Sequence, residues 1–261
     1  TRRSSDLDGT MVNGTGSITD IKVSENSVQN TLGNGIDFSA VSGFDISDIC
    51  IDGNTCRTNG TDADGTNAIR IGLTDHSSGS SNNLRIIGNN VYDPQDSENV
   101  AINLSMQDSR LTHVAIDRNY VGGISAQAVS GGIGLRVFGT GPDSLNHVQI
   151  RDNNITTKLS CLVVDTSGEV SDINVSNNLL TTNDGGGSLA FPSRPFYFRI
   201  ANTGIDTTVN QGIIIADNTL RHGDGCRIES LGAVAITAIN VTGNIFLGTE
   251  QSDDPVLDGN P

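Results

Sequence analysis

Arginine recurs inside short apolar segments of this chain, with an apolar residue or Cys on either side each time. The segments are Ile69-Arg70-Ile71, Leu135-Arg136-Val137, Phe198-Arg199-Ile200 and Cys226-Arg227-Ile228. Successive side chains of a β-strand point to opposite faces, so the flanking residues point inward and the arginine points outward. Guanidinium groups hold carboxylates through paired hydrogen bonds. If these segments stack, the sequence predicts a binding surface for an acidic ligand made of Arg70, Arg136, Arg199 and Arg227.

Two acidic residues, Asp165 and Glu229, lie two positions further along equivalent segments. Stacked as parallel strands two coils apart, their backbones would be roughly 10 Å apart. Side-chain rotation can bring such a pair into the range of ~6.5–9.5 Å found in inverting glycosidases, where one carboxyl group acts as acid and the other as base. The alternative is that these acids and arginines neutralise one another on an exposed sheet, because stacked like charges need opposite partners.

The two interpretations differ in what the arginines do. On the ligand-binding interpretation, replacement of Arg136, Arg199 and Arg227 by Gln removes the binding of anionic oligosaccharides. The same replacement is then expected to leave thermal stability almost unchanged. On the alternative interpretation, the arginines neutralise neighbouring acidic residues of the sheet and bind no ligand.

A second candidate column precedes the first strand of each repeat and consists of Asp20, Asp48, Asn83, His113, His147 and Asp172. His113 and His147 occupy matching positions in consecutive repeats, and Asp172 follows in the next repeat. A neighbouring carboxylate raises the basicity of a histidine and orients its ring, so the column is a candidate proton-transfer site or weak metal site. The alternative is an exposed polar edge with adjacent histidines by chance.

The segment Asp62-Ala63-Asp64-Gly65-Thr66-Asn67 contains the Asp-x-Asp-Gly sequence of calcium-binding loops. Oxygen ligands from Asp62, Asp64 and Asn67 suit Ca²⁺, which is the one cofactor that the sequence suggests. The segment lacks the distal glutamate of an EF-hand, so a turn rich in Asp and Asn is the alternative.

These candidate residues are positioned by a phrase that recurs eight times, with apolar residues at i and i+2 and Asn at i+5. A repeat of ~20–50 residues indicates a stacked architecture, and apolar pairs with strand periodicity indicate that the stacked unit is a coil of β-strands. We expect the Asn residues to mark equivalent bends of successive coils. They are Asn26, Asn54, Asn89, Asn119, Asn153, Asn178, Asn218 and Asn244.

The phrase Ile-x-Val-x-x-Asn, followed by a turn and a second strand of the type Gly-Ile-x-Leu, resembles the repeat of right-handed parallel β-helix proteins. These proteins form the pectate-lyase-like superfamily, which includes polygalacturonases, alginate-modifying enzymes and viral tailspikes. The resemblance implies an all-β fold, a single right-handed parallel β-helix (solenoid) of about eight coils, with the Asn side chains in an internal ladder. It implies no single activity, because the superfamily contains lyases, hydrolases, epimerases and binding proteins. In its lyases an Arg abstracts a proton and Ca²⁺ or Arg neutralises the uronate.

Two named activities of the superfamily are disfavoured by their motifs. The string from His222 to Glu229 departs from the polygalacturonase pattern of paired Asp, Gly-His-Gly and Arg-Ile-Lys. Asp93-Pro94-Gln95-Asp96 lacks the His of the alginate-epimerase string.

The composition and net charge of the chain limit the classes of partner that it can have. The chain has 261 residues, 30 acidic and 15 basic, and a net charge of −15, which speaks against duplex nucleic acid or an anionic membrane surface as partner. No apolar run approaches the ~18 residues of a membrane span, so no membrane insertion is expected.

The repeat predicts one elongated domain at residues 18–247, between a polar N-terminal segment (1–17) and a C-terminal tail (248–261). The missing start Met and the abrupt end favour a piece of a longer protein, because solenoids need end caps.

Three functions remain in view, of which the third is a purely structural surface repeat. The first is an extracellular protein that binds an acidic or cell-surface polysaccharide, with cleavage by a lyase or glycoside hydrolase reaction left open. The second is a shaft or receptor-binding segment of a viral tailspike or adhesin, without catalysis and with a homotrimer as its expected assembly. The expected location is extracellular, at a cell surface or on a virion.

Overall fold

The fold consists of β-strands stacked in coils along one axis. The computed structural model describes residues 16–29, 34–41, 44–57, 67–74, 81–92, 100–122, 131–138, 144–157, 160–182, 194–201, 210–221, 226–231 and 236–247. Within these residues the regular elements are β-strands, and they pair in parallel in three sheets. A typical coil begins with the first strand of the repeat, in sheet B, and passes through an Asn bend to a short strand in sheet C. It continues to the second strand of the repeat, in sheet A. This is the parallel β-helix that the repeat predicted.

Sheet A carries the second strand of each repeat, where the candidate arginines lie. Its seven described strands are β4 (Ile36–Val41), β7 (Ile69–Thr74), β10 (Val100–Gln107), β13 (Gly131–Phe138), β16 (Leu162–Thr166), β19 (Phe196–Ala201) and β22 (Cys226–Leu231).

Sheet B carries the first strand of each repeat. Its described strands are β1 (Gly16–Thr19), β2 (Lys22–Ser24), β5 (Phe44–Asp52), β8 (Ser81–Ile87), β11 (Arg110–Asp117), β14 (Ser144–Arg151), β17 (Glu169–Ser176), β20 (Asn210–Ala216) and β23 (Ile236–Thr242).

Sheet C consists of short strands that directly follow the Asn bends. They are β3 (Ser27–Gln29), β6 (Thr55–Arg57), β9 (Asn90–Tyr92), β12 (Tyr120–Gly122), β15 (Asn154–Thr157), β18 (Leu179–Thr182), β21 (Thr219–Arg221) and β24 (Ile245–Leu247). The described part of the chain contains no helix long and apolar enough to cross a membrane.

The core is a narrow column of aliphatic side chains from the three sheets. One row of sheet B shows how completely the core excludes solvent. Six side chains at one register position are each at most 1% exposed: Ile49, Leu84, Val114, Val148, Ile173 and Ile213. Full burial of such a side chain stabilises the fold by about 1.5–3 kcal/mol. Neighbouring strands lie ~4.8 Å apart, so each aliphatic residue packs on its equivalents in the coils above and below.

Each coil bends where the backbone enters the left-handed region. The residue before the ladder Asn has a φ between 56° and 66° in every described coil, at Glu25, Gly53, Gly88, Arg118, Asp152, Asn177, Asp217 and Gly243. A second left-handed residue bends each strand of sheet B, at Asp20, Asp48, Asn83, His113, His147, Asp172, Gly212 and Ala238. This conformation costs a non-glycine residue roughly 1–2 kcal/mol. Its recurrence shows that the contacts between coils enforce it.

The Asn ladder supplies those contacts. The main-chain N and the side-chain Nδ2 of Asn119 both donate to Oδ1 of Asn153, at 2.9 and 3.0 Å. Nδ2 also donates to the carbonyl oxygen of Ile86, and Oδ1 accepts the matching pair of bonds from Asn89. The same pattern links Asn26 through to Asn244. The buried amides thus satisfy one another, and the internal ladder implied by the resemblance is confirmed.

Removal of one rung should be costly. Asn119→Leu would leave the two donors of Asn89 without their acceptor and the carbonyl of Ile86 without its donor. We expect the free energy of unfolding to fall by about 1–3 kcal/mol, measured by urea titration. The matched control is Asn154→Leu at an exposed position of sheet C, for which a change within about 0.5 kcal/mol is expected. Equal losses in both variants would contradict the structural role of the ladder.

Candidate functional site

The register of sheet A divides the candidate arginines between two outward columns. The first column contains Asp37, Arg70, Asn103, Gly134, Val163, Tyr197 and Arg227. The second column, two residues further along each strand, contains Ser39, Gly72, Ser105, Arg136, Asp165, Arg199 and Glu229. The prediction of one column of four arginines was therefore wrong.

The error has a physical cause. In β13 the inward positions paired with the neighbouring strand belong to Ile133 and Leu135, and in β19 they belong to Phe196 and Phe198. Alternation of period two assigns a residue to a face but does not fix its position along the strand. Arg136 and Arg199 were therefore placed on the correct face, two residues out of register.

Charges alternate along four successive strands of the second column. Arg136, Asp165, Arg199 and Glu229 are register neighbours in that order, so an arginine separates the two acids that the sequence proposed as a catalytic pair. Nε of Arg199 donates to Oδ1 of Asp165 at 2.8 Å, and Nη2 donates to Oδ2. This two-point contact is the main reason that the pKa of Arg199 lies above its ordinary value. Arg199 and Asp165 thus form one unit on the face of the sheet.

Glu229 is held from the first column. The hydroxyl group of Tyr197 donates to Oε2 at 2.8 Å, and Nη2 of Arg227 donates to Oε1 at 2.9 Å. Burial, and then the hydrogen bond to Glu229, raises the pKa of Tyr197 to about 12. Tyr197 therefore stays protonated at neutral pH and acts as a donor that orients the carboxylate.

Arg136 stands at the end of this charged row, in register with Ser105 on one side and Asp165 on the other. Burial lowers the pKa of Arg136; the charge of Asp165 opposes that effect and the charge of Arg199 adds to it. The guanidinium group is therefore a partly desolvated cation. An additional negative charge beside it would be favourable.

Arg70 belongs to a separate cluster. Its Nη1 lies 3.2 Å from Oδ2 of Asp37, which also accepts a hydrogen bond from Nδ2 of Asn34 at 2.6 Å. The hydroxyl group of Ser39 donates to the other oxygen of Asp37. One strand without a charged residue, β10, lies between β7, which carries Arg70, and β13, which carries Arg136. Arg70 is not brought together with the other three arginines.

The pair Asp165 and Glu229 has the spacing expected from sequence but is engaged by donors. The two acids lie two strands apart, roughly 10 Å between backbones. Asp165 is bonded by Arg199, and Glu229 by Tyr197 and Arg227. Each carboxylate oxygen that accepts one of these bonds keeps a second lone pair, so a substrate hydroxyl group can add to an existing bond or replace it. The arrangement is a hydrogen-bonded network that could accept a ligand by partner exchange.

The histidine column lies on sheet B, away from these acids. Nδ1 of His147 lies 2.9 Å from Oδ2 of Asp172, and both side chains are about half exposed. The rings of His113 and His147 meet edge to face with centroids 5.0 Å apart, and Oγ1 of Thr112 lies 3.2 Å from Nδ1 of His113. The structure therefore brings His113, His147 and Asp172 together. Asp172 contacts the His147 ring through Nδ1, so Nε2 is the ring nitrogen that a further group could contact.

The proposed calcium ligands are only partly described. Asp62 and Asp64 lie outside the described residues. Asn67 is buried, with Nδ2 donating to the carbonyl oxygen of Val100 at 2.7 Å and Oδ1 accepting from Nδ2 of Asn103 at 3.3 Å. Both polar atoms of its side chain are therefore engaged by hydrogen bonds within the protein. Across the described ranges, no group of three or more His, Cys, Asp or Glu is arranged to hold a metal ion.

No family model, curated protein or solved structure matches this chain. The class of protein is therefore defined by its own architecture, a parallel β-helix with three parallel sheets and a buried Asn ladder.

Sequence reasoning missed Tyr197 as part of the charged network. The signal was present, because Tyr197 lies between two phenylalanines, and a strand with large aromatic residues at alternate inward positions leaves the tyrosine outward. Placing Arg199 in the first column, where the structure has Tyr197, obscured it.

The ion pairs change the expected effect of removing an arginine. Arg199→Gln takes both bonds from Asp165, whose side chain is only 15% exposed. We expect the free energy of unfolding to fall by about 1–3 kcal/mol, in place of the unchanged stability expected from sequence. Urea titration measures it, with Arg85→Gln on the exposed face of sheet B as the control.

The coupling is tested by adding Asp165→Asn to the Arg199→Gln variant. An uncharged amide costs less to leave without its partner than a carboxylate, so the double variant should regain part of the lost stability. Strict additivity of the two single losses would show that the side chains act independently.

Proposed function

We propose that this protein binds an acidic or cell-surface polysaccharide along sheet A, as an extracellular β-helix protein. The observation that carries the proposal is the outward row Arg136, Asp165, Arg199 and Glu229, with Arg227 bonded to Glu229 from the adjacent column. Four successive strands present these groups at a spacing of ~4.8 Å on a rigid parallel sheet. A linear polymer lying parallel to the solenoid axis can contact all of them.

Charge distribution supports an anionic ligand on this face. The strands of sheet A contain four arginines and three acidic residues, in a chain with 15 basic and 30 acidic residues. The face is therefore locally less negative than the protein as a whole. Long-range repulsion from the rest of the chain is screened beyond ~8 Å at physiological ionic strength, whereas direct contacts are screened much less.

The network can take a sugar by exchanging partners. A uronate carboxylate can replace Glu229 on Arg227, or lie beside Arg136 close to Asp165, because a guanidinium group can donate two parallel hydrogen bonds to a carboxylate. The carboxylates of Asp165 and Glu229 can then accept hydrogen bonds from sugar hydroxyl groups. The partial desolvation of Arg136 favours the arrival of an anion at that end of the row.

Membership of the pectate-lyase-like superfamily is part of the proposal. It is supported by the repeated phrase and by the Asn ladder within parallel coils. We assign a polysaccharide lyase or glycoside hydrolase activity on the condition that cleavage is measured. Asp165 and Glu229 are then the first candidates for acid and base, and His147 with Asp172 are the second.

A second function has an observation in its favour. The charged side chains of sheet A are bonded to one another, so the face is stable without any ligand. This suits a stiff shaft or receptor-binding segment of a viral tailspike or adhesin, located on a virion or cell surface and assembled as a homotrimer. Neither function calls for nucleic acid or for membrane insertion.

Glycan binding gives the direct test. The wild-type protein is expected to bind at least one acidic polysaccharide on a glycan array, and the binding should weaken as salt is raised, because charge attraction is screened. Arg136→Gln should weaken it by about tenfold, the effect of one lost hydrogen bond to a charged group. Arg85→Gln, on sheet B, is the matched control and should bind like the wild type. Equal binding by all three proteins would contradict the proposal and favour the alternative, in which the charges of sheet A only neutralise one another.

Cleavage is tested separately, by chain length of the bound polysaccharide after incubation. If the polymer is shortened, Asp165→Asn and Glu229→Gln should each reduce the rate by a factor of about 10²–10⁴ and retain binding, because each removes one acid–base group. Full activity in either variant would exclude the pair, and His147→Gln would then be the variant to measure. If the wild-type protein neither binds nor shortens any polysaccharide and sediments as a trimer, the result would favour the function as a shaft or receptor-binding segment.

A further inference from the structure

Two of the three tyrosines of the chain form a pair on the outward face of sheet C. The ring centroids of Tyr92 and Tyr120 lie 5.3 Å apart, with ring planes inclined by 45°. The guanidinium carbon of Arg57 lies 5.9 Å from the ring centre of Tyr92. Arg57 is exposed and both tyrosines are partly exposed. Three neighbouring coils thus contribute one row of planar groups, which we name the tyrosine row.

Gly122 determines how Tyr120 lies in this row. Gly122 is the register neighbour of Tyr92, which in turn pairs with Arg57. A Cβ atom at Gly122 would lie 2.5 Å from the hydroxyl oxygen of Tyr120 and 2.8 Å from its Cζ. The outer end of the Tyr120 ring therefore lies directly over Gly122. The absence of a side chain there lets the ring lie along the sheet and present a face.

The polar surroundings favour an acidic ligand over a hydrophobic one. The described strands of sheet C carry Arg57 and Arg221 and no acidic residue. Asn90 pairs in register with Tyr120, and Asn154 pairs with Tyr120 on the other side, so amide groups flank the ring. Ring faces, a guanidinium group and amides together match a sugar ring that carries hydroxyl groups and a carboxylate.

We propose that the tyrosine row, formed by Arg57, Tyr92 and Tyr120 on sheet C, is a second binding site that takes an acidic glycan. The negative face of an aromatic ring attracts the electropositive C–H groups on one face of a sugar ring. Arg57 supplies a charged donor for the uronate carboxylate, and Asn90 and Asn154 supply donors and acceptors for hydroxyl groups. The site lies on a different sheet from Arg136 and Glu229. It depends on the proposed function only for the choice of an acidic glycan.

Single-stranded nucleic acid is the other polymer that stacks on aromatic rings. Its binding requires a positively charged groove along the backbone, and two arginines in the described strands of sheet C, in a chain of net charge −15, fall short of that. A purely structural tyrosine pair is the remaining explanation, because aromatic pairs across strands stabilise sheets by roughly 0.2–1 kcal/mol.

The test uses the tyrosines as their own reporters. The chain has three tyrosines and no tryptophan, so in the full-length Tyr197→Phe variant all tyrosine emission comes from Tyr92 and Tyr120. Titration of this variant with oligogalacturonate is expected to change the emission with a saturable dependence. A cello-oligosaccharide of equal length, which lacks the carboxylates, should bind more weakly. No change with oligogalacturonate would overturn the proposal.

Affinity is then measured by calorimetry in variants with Tyr197 intact. Replacement of both Tyr92 and Tyr120 by Ala should weaken oligogalacturonate binding at sheet C by about tenfold, whereas replacement of both by Phe, which keeps the ring faces, should stay within about twofold. Thermal unfolding of the Ala variant shows whether it is folded. If it is not, Gly122→Ala takes its place, because the added methyl group displaces the Tyr120 ring and leaves both tyrosines present.

The outcomes separate this site from sheet A. Weaker binding in the Tyr92 and Tyr120 variants supports the tyrosine row if Arg136→Gln binds like the wild type or if the two losses are additive when the changes are combined. Affinity unchanged in both the Ala and the Gly122→Ala variants overturns it, and retained binding that depends on Arg136 would leave the proposed function standing. Oligothymidylate binding with the same dependence on the tyrosines would also overturn the assignment to a glycan.

Discussion

The hydrogen-bonded Asn ladder is the constraint on which the rest of the structure depends. One amide per coil, buried in all but the first and last described coils, bonds to the amide of the next coil through both its main-chain and its side-chain nitrogen. These bonds fix one point of each coil relative to the next, and the left-handed residue directly before each Asn turns the chain at that point. Strand pairing in the three sheets then extends from a common origin. Six of the sixteen buried polar residues in the described part of the chain belong to this ladder.

Each sheet consequently displays a different surface. Sheet A presents alternating charges, sheet B presents the histidines and Asp172, and sheet C presents the tyrosine row. The residues of each surface come from different coils that are far apart in sequence, and they meet because the coils are stacked in register. Segments between strands differ in length from coil to coil, with ladder Asn residues 25 to 40 positions apart. The ladder keeps this variation from shifting the columns.

Sequence reasoning succeeded where a residue has a constant distance from the Asn. His113, His147 and Asp172 each lie six positions before a ladder Asn, with only strand and bend between, so their contact followed from counting. Sheet A is reached from the Asn through connections of different length, and there the alternation of period two left the register open by two residues. Arg136 and Arg199 were misplaced for this reason. The left-handed bends were also missed, because Asp, Asn, His, Gly and Ala all occupy them, and side-chain type alone gave no common signal.

The ladder bonds all run in one direction, since each amide donates toward the coil that follows it. The solenoid is therefore a polar object, with the acceptor Oδ1 of Asn26 facing one end and the main-chain donor of Asn244 facing the other. A second copy can extend this column head to tail, where donor meets acceptor. Head to head, acceptor would face acceptor. Contact that continues this column from copy to copy is thus heterologous, and heterologous contacts along one axis lead to an open filament and not to a closed dimer.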